Sequence, residues 1–172
     1  MNVILETERL ILRPIEMNDA ESLFLLESNP NVHKYLGNHP VKSLEESTAY
    51  IVSLQNQYKN NGIGRFAVIL KESGEFIGWS GIKFITEEEN KHINFYEIGY
   101  RLREEYWGKG FAYEAAKAWY DYAINELKVD TLYASAHIDN AGSRRILEKI
   151  GLKLKNEFIW NKEVPSVWYA SN

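Results

Sequence analysis

Cysteine is absent from all 172 residues. That excludes disulfides, zinc–thiolate centres and a covalent cysteine mechanism. It also fits a reducing compartment. No run approaches the roughly 20 apolar residues that a membrane helix needs. Residues 1–8 carry neither a basic segment nor a long apolar one, so no signal peptide is expected. No Asn-x-Ser/Thr sequon occurs. An excess of basic residues is missing too. The net charge is −4, so nonspecific nucleic-acid binding is not expected. Internal repeats, linkers and low-complexity tracts are lacking. Together these absences point to a cytoplasmic protein with no membrane or nucleic-acid partner.

What is present suits one domain over residues 1–172. An apolar content of 45% and a charged content of 26% are ordinary for a globular chain with a full core. Residues 7–15 alternate, with Leu10 and Leu12 on one face, and predict a strand. Asn18, with Glu21 three residues on, reads as a capping box for a helix that Asn29-Pro30 ends. Ser43 and Glu46 open a second helix, closed near Gly62. Residues 65–70 and 76–84 read as a hairpin. The acidic run 86–91 reads as a solvated loop. A long strand over 93–102 follows, then a helix over about 110–126 from the spacing of Phe111, Ala115, Trp119, Tyr122 and Ala123. A strand over 131–137, a short helix over 141–149 and an antiparallel pair over 152–160 and 164–170 complete a mixed α/β order.

The most informative segment runs from Glu97 to Ala115. A strand ends, a polar turn carries Gly108 and Gly110, and a helix begins. The first turn of a helix has unpaired N–H groups and about half a positive charge, so it suits an anion. Glycines let that backbone approach a phosphate closely. An ordinary glycine turn entering a helix has the same spacing. Other glycine motifs fail on context. Gly108-Lys109-Gly110 lacks the spacing and hydroxyl residue of a phosphate-binding Walker loop. Gly62-x-Gly64 precedes a strand rather than a helix.

The run Trp107-Gly108-Lys109-Gly110-Phe111-Ala112 resembles the acetyl-CoA motif of the GNAT superfamily of N-acetyltransferases, Gln/Arg-x-x-Gly-x-Gly/Ala. Trp107 departs from its Gln or Arg, as in the branch that acetylates ribosomal-protein N-termini (RimJ/RimL-type). Residues 6–14, Asp139-Asn140-Ala141-Gly142-Ser143 and Leu147-Glu148-Lys149-Ile150-Gly151-Leu152 fit that branch in order, so the resemblance covers essentially the whole chain. It implies an α/β fold with a mostly antiparallel central sheet, flanked by helices and splayed between the fourth and fifth strands. It also implies acetyl-CoA as cosubstrate, no metal, and a monomer or homodimer.

The resemblance implies roles residue by residue. Gly108, Lys109, Gly110, Phe111, Ala112 and Tyr113 would hold the pyrophosphate, after Trp107. Gly99, Tyr100, Arg101 and Leu102 would meet the pantetheine by strand-like pairing, and an N–H there would polarise the thioester carbonyl. Asn140 and Ser143 would meet the CoA arm near sulfur, although both also suit helix capping. Many relatives carry a tyrosine proton donor where this chain has Leu147, and Leu cannot donate. Suspicion passes to Ser143. Some relatives carry a glutamate where this chain has Ser135. Glu97, just before the splay, is the candidate base; the competing reading is a structural carboxylate paired with an arginine. His137 reads as packed rather than catalytic. His33, Tyr35 and His39 fall between the first two helices, which in this fold tend to cover the acceptor site, and are candidate substrate contacts.

The expected activity is transfer of acetyl to a primary amine, on a protein N-terminus or a small molecule, by direct attack in a ternary complex. An α-amine of pKa about 7.8 costs about 1 kcal/mol to neutralise at pH 7, a lysine amine about 4.6 kcal/mol. A weak base therefore suffices for an α-amine. The alternative is a noncatalytic acetyl-CoA-binding or sensing protein of the same fold.

Overall fold

A computed structural model describes residues 3–172. The strands are β1 (Leu5–Glu6), β2 (Leu10–Pro14), β3 (Arg65–Leu70), β4 (Phe76–Ile85), β5 (Phe95–Leu102), β6 (Leu132–His137), β7 (Lys153–Trp160) and β8 (Val164–Ala170). The helices are α1 (Ala20–Glu27), α2 (Leu44–Asn61), α3 (Phe111–Asn125) and α4 (Ala141–Ile150). The strands form one sheet in the order β1-β2-β3-β4-β5-β6-β8-β7. The two-residue β1, paired with Ile11 and Leu12, is an addition to the sequence expectation. Among the described residues no helix is long and apolar enough to cross a membrane.

One parallel pairing breaks the antiparallel pattern. α3 carries the chain from β5 across to β6, and such a crossover returns the next strand parallel. Only Tyr96 with Leu132 and Glu97 with Tyr133 are in register. Beyond them β5 and β6 separate, while β4 pairs with β5 as far as Leu102. This is the expected splay. It falls at the fifth and sixth strands because β1 shifts the count.

Local signals are read with one correction. Leu10 and Leu12 are fully buried, as their alternation requires. Ser43 Oγ accepts from the Glu46 N–H, and α2 closes at Gly62. The expected Asn18–Glu21 cap is not formed. A single 3₁₀ turn over Met17–Asp19 precedes α1, and Glu16 and Asp19 make the capping box. Asp19 wins because its carboxylate serves two partners at once. It accepts the Glu16 N–H at 2.8 Å and both guanidinium nitrogens of Arg13 at 2.8 and 2.9 Å.

The main core joins α1, α2 and α3 to the sheet, with Trp119 and Phe66 edge to face at 4.7 Å. A smaller cluster of Ile85, Phe95 and Trp168 lies beyond the splay. It fixes the segment between β4 and β5, which positions part of the site.

Candidate active site

The splay is the floor of a cavity of about 1220 Å³. From Ile98 onward the β6-facing edge of β5 has no strand partner. Because side chains alternate along β5, the gap exposes groups from both sheet faces. Glu97, Gly99 and Arg101 face Arg65, Trp79 and α1, whereas Tyr100 faces α4. Nearly all the expected site residues line this one cavity: Glu97, Gly99 to Leu102, Trp107, Gly108, Gly110 to Tyr113, Asn140 and Ser143, with His33 and Tyr35. Lys109 and His39 do not.

The glycine turn has the geometry its sequence calls for. Gly108 and Gly110 have φ of +72° and +81°, a region that side chains disfavour. The ladder of α3 begins at Glu114 N–H to Gly110 C=O, 3.0 Å, which leaves the N–H groups of Phe111, Ala112 and Tyr113 ahead of it. Trp107 closes the turn onto β5, its indole N–H donating to Leu102 C=O at 2.8 Å.

The N-terminal segment clamps the same turn. Glu114 accepts from the Thr7 hydroxyl at 2.6 Å, the Arg9 N–H at 2.8 Å and Arg9 Nε at 2.7 Å. These contacts outweigh its burial and hold its carboxyl below the usual range. Arg9 also donates to Lys109 C=O at 3.0 Å and stacks 4.3 Å over Phe111. Residues 6–14 thus brace the helix start more than 100 residues away.

Ser143 and Asn140 act together. Asn140 Oδ1 caps α4 by accepting the Ser143 N–H at 3.1 Å. Ser143 Oγ lies 3.1 Å from the Tyr100 hydroxyl, which is also 2.9 Å from Ser143 C=O. The Tyr100 proton is within reach of both the carbonyl and the Ser143 oxygen, and when it turns to the latter the Ser143 proton is free. Burial raises the Tyr100 pKa, so it stays protonated near neutrality. Leu147 is buried in the core. The sequence reading named Tyr100 for its backbone only. Its hydroxyl was unreadable there, since α4 lies 43 residues on.

Glu97 is committed to an arginine. Arg65 is buried and donates to Glu97 Oε1 at 2.5 Å, Glu97 C=O at 2.9 Å and Gly81 C=O at 2.7 Å. Gly99 makes room for it, because a Cβ there would lie 2.9 Å from the guanidinium. Of the two sequence readings, the geometry matches the structural pair.

The histidines have side-chain partners of their own. His33 is buried, its Nε2 3.0 Å from Glu27 Oε2. Glu27 also accepts from Trp79 Nε1 at 2.9 Å and Arg101 at 2.6 Å. His33 therefore holds α1 to the loop after it, with its ring nitrogen occupied. His39 stands outside the cavity and pairs with Glu163 at 2.8 Å. Tyr35 lines the cavity beside His33, 5.2 Å from the ring of His137. His137 is packed, its Nδ1 accepting the Asp139 N–H at 3.0 Å.

One residue was missed outright. Glu89, within the run read as solvated, is half-buried and lines the cavity. Nothing local separates it from Glu87 or Glu88, which are exposed.

Comparison with known proteins agrees with this geometry. Residues 9–153 match the family model described as Acetyltransferase (GNAT) domain. An uncharacterized N-acetyltransferase, p20, of Bacillus licheniformis is 33% identical over 149 residues, covering 87% of this chain and 82% of its own. A GNAT-family acetyltransferase from Bacillus anthracis superposes with a TM-score of 0.79 at 28% identity, covering 98% of this chain and 97% of its own. The ribosomal L7/L12 α-N-protein acetyltransferase RimL, solved with coenzyme A, shares the fold with a TM-score of 0.80 at 19% identity, covering 98% and 97%. With a family model spanning most of its length and a relative a third identical, this chain belongs to the GNAT acetyltransferases.

Proposed function

We propose that the chain, as one N-acetyltransferase domain, transfers the acetyl group of acetyl-CoA to a primary amine by direct attack in a ternary complex. The observation that carries this is the alignment of two features along one cavity. They are the free N–H groups at the start of α3 and the unpartnered edge of β5. The first suits a pyrophosphate, the second an extended amide-bearing arm. The cavity, about 1220 Å³, exceeds a typical drug-sized pocket and has room for two substrates. Trp107 and the clamp from Thr7 and Arg9 support a RimJ/RimL-type relationship, as does RimL with its bound coenzyme A. A protein N-terminus or a small-molecule amine is the acceptor class.

The amine nitrogen attacks the thioester carbonyl, the C–N bond forms and the C–S bond breaks. A thiolate departs and needs a proton or a strong hydrogen bond. Ser143 and Tyr100 form the hydroxyl pair suited to that task. Ser143→Ala should lower kcat by roughly 100-fold while leaving acetyl-CoA affinity within about twofold. If the hydroxyls act as a unit, Tyr100→Phe added to Ser143→Ala should cost little more. A lowered melting temperature with turnover intact would reduce Ser143 to a capping role. Leu147→Tyr is not a clean rescue here, since overpacking this buried site costs about 1–3 kcal/mol.

Mixing the protein with acetyl-CoA and a panel of peptides and polyamines, read by thiol release, tests the activity. Amine-dependent release is expected. Tight acetyl-CoA binding without release from any amine would instead favour a sensing protein. The cofactor placement has its own test. Proline locks φ near −65°, opposite in sign to the +81° at Gly110. Gly110→Pro should therefore weaken acetyl-CoA binding by calorimetry about 100-fold or more, equivalent to roughly 3 kcal/mol. Wild-type affinity in a folded variant would overturn the placement.

A further inference from the structure

We propose that Glu89 is the general base that takes the proton of the acceptor amine. The inference rests on the acetyltransferase reading and names a residue for it.

Glu89 is held in place rather than carried on a loose loop. It exchanges two backbone hydrogen bonds with His92, at 2.9 and 2.8 Å. The intervening Asn90 and Lys91 have φ of +46° and +65°, the signature of a tight primed turn. Two contacts fasten this turn to the sheet. Asn90 and Asn156 of β7 exchange side-chain amide bonds at 3.2 and 3.1 Å. The His92 ring stacks on Trp168 with centroids 5.1 Å apart.

The anchored carboxylate is incompletely satisfied. Its Oε1 is buried without a hydrogen-bond partner among the described residues. Leaving a buried acceptor unpaired is unfavourable, and an incoming N–H donor would relieve it. The side chain lines the cavity, as do Glu97, Lys83 and Ile85. Glu97, the residue expected for this role, is engaged by Arg65. Of the other carboxylates lining the cavity, Glu27 is held by Arg101, Glu104 by the amides of Asn29 and Asn31, and Glu46 by the Lys42 N–H, whereas Glu89 keeps a buried oxygen without a partner among the described residues.

The charged groups around it favour that use. Burial pushes the Glu89 carboxyl up to about 7, and the Glu97 carboxylate adds to the rise. Lys83 on β4, Arg65 on β3 and the Trp160 indole oppose it. His92, the titratable neighbour across the turn, directs its ring to Trp168. A base near the working pH is both ionised often enough and strong enough. It matches an α-amine of pKa about 7.8 much better than a lysine amine of about 10.4. In the step, the amine lone pair forms the C–N bond, the thiolate leaves with the C–S electrons, and the N–H proton passes to Glu89.

The test compares wild type with Glu89→Gln. The acceptor probe is a short peptide with a free α-amine, and spermidine is run beside it. Expected results are a loss of kcat/KM of about 100-fold or more at pH 7, a smaller deficit above pH 9, and unchanged acetyl-CoA affinity by calorimetry. In ¹³C-carboxyl-labelled protein, one glutamate resonance absent from Glu89→Gln should titrate near pH 7. Should Glu89→Gln fail to fold, Glu89→Ala serves both comparisons. Wild-type turnover with an undiminished variant overturns the base and leaves the acetyltransferase reading standing. So does a Glu89 midpoint below pH 5. Wild-type turnover with neither amine overturns both.

Discussion

Glu27→Ala should destabilise the fold by about 3 kcal/mol or more, measured by denaturant unfolding. Glu27 is 5% exposed and serves three donors from three parts of the chain: His33, Trp79 and Arg101. Removing it strands a guanidinium and an indole N–H and leaves a void. Surface ion pairs contribute about 1 kcal/mol at most, so a loss of that size would mean the network is not coupled. Acid gives a second signature. Burial by itself would raise the Glu27 carboxyl. The His33 bond, the Arg101 charge and the Trp79 N–H outweigh burial and hold it down to about 2, from an ordinary 4.5. A depressed carboxyl stabilises the fold above its unfolded value, and that contribution is lost as pH falls through the folded one. Wild type should therefore lose melting temperature more steeply than Glu27→Ala between pH 4.5 and 2. Parallel curves would assign the acid sensitivity to other groups.

Glu97→Gln should cost about 3 kcal/mol of stability, because it leaves the buried Arg65 guanidinium without its counter-charge. Any accompanying loss of kcat/KM should be the same at neutral and high pH, since Arg65 would shift and disturb β5 rather than remove a base. A deficit that fades as pH rises, in a fully stable variant, would return Glu97 to the mechanism. The double substitution Arg65→Met with Glu97→Leu separates the cases further. Replacing both partners by apolar groups removes the stranded charge, so it should recover most of the lost stability. If it recovers none, the cost comes from the bonds to Gly81 and Glu97 C=O rather than from the ion pair.

Both effects arise where the sequence reading was weakest. Glu97 and Arg65 are 32 residues apart, and Glu27 and Arg101 are 74 apart. No periodicity or cap connects them. The sequence also did not show the partners of His33, which lines the cavity, and of His39, which does not. Their partners, Glu27 and Glu163, reach them through packing between the segment after α1 and its surroundings. Asn18 was misread even at short range. Asp19, one residue on, had a second partner in Arg13 that decided the cap.

The sequence by itself determined the four helices and every strand but the two-residue β1, the mixed α/β class, the glycine turn ahead of α3 and the α4 cap at Asn140. Each rests on interactions within one turn or one strand, and alternation, helical spacing and capping residues report those directly. The resemblance motifs supplied the splay. Tertiary structure alone decided which side chains share the cavity. The register of β3, β4 and β5 sets Arg65 against Glu97, and the crossover through α3 brings α4, with Ser143, over Tyr100. The turn pinned by Asn156 and Trp168 takes Glu89 partly out of solvent. A carboxylate's role follows from its partners and its burial, and a chain read one neighbourhood at a time contains neither.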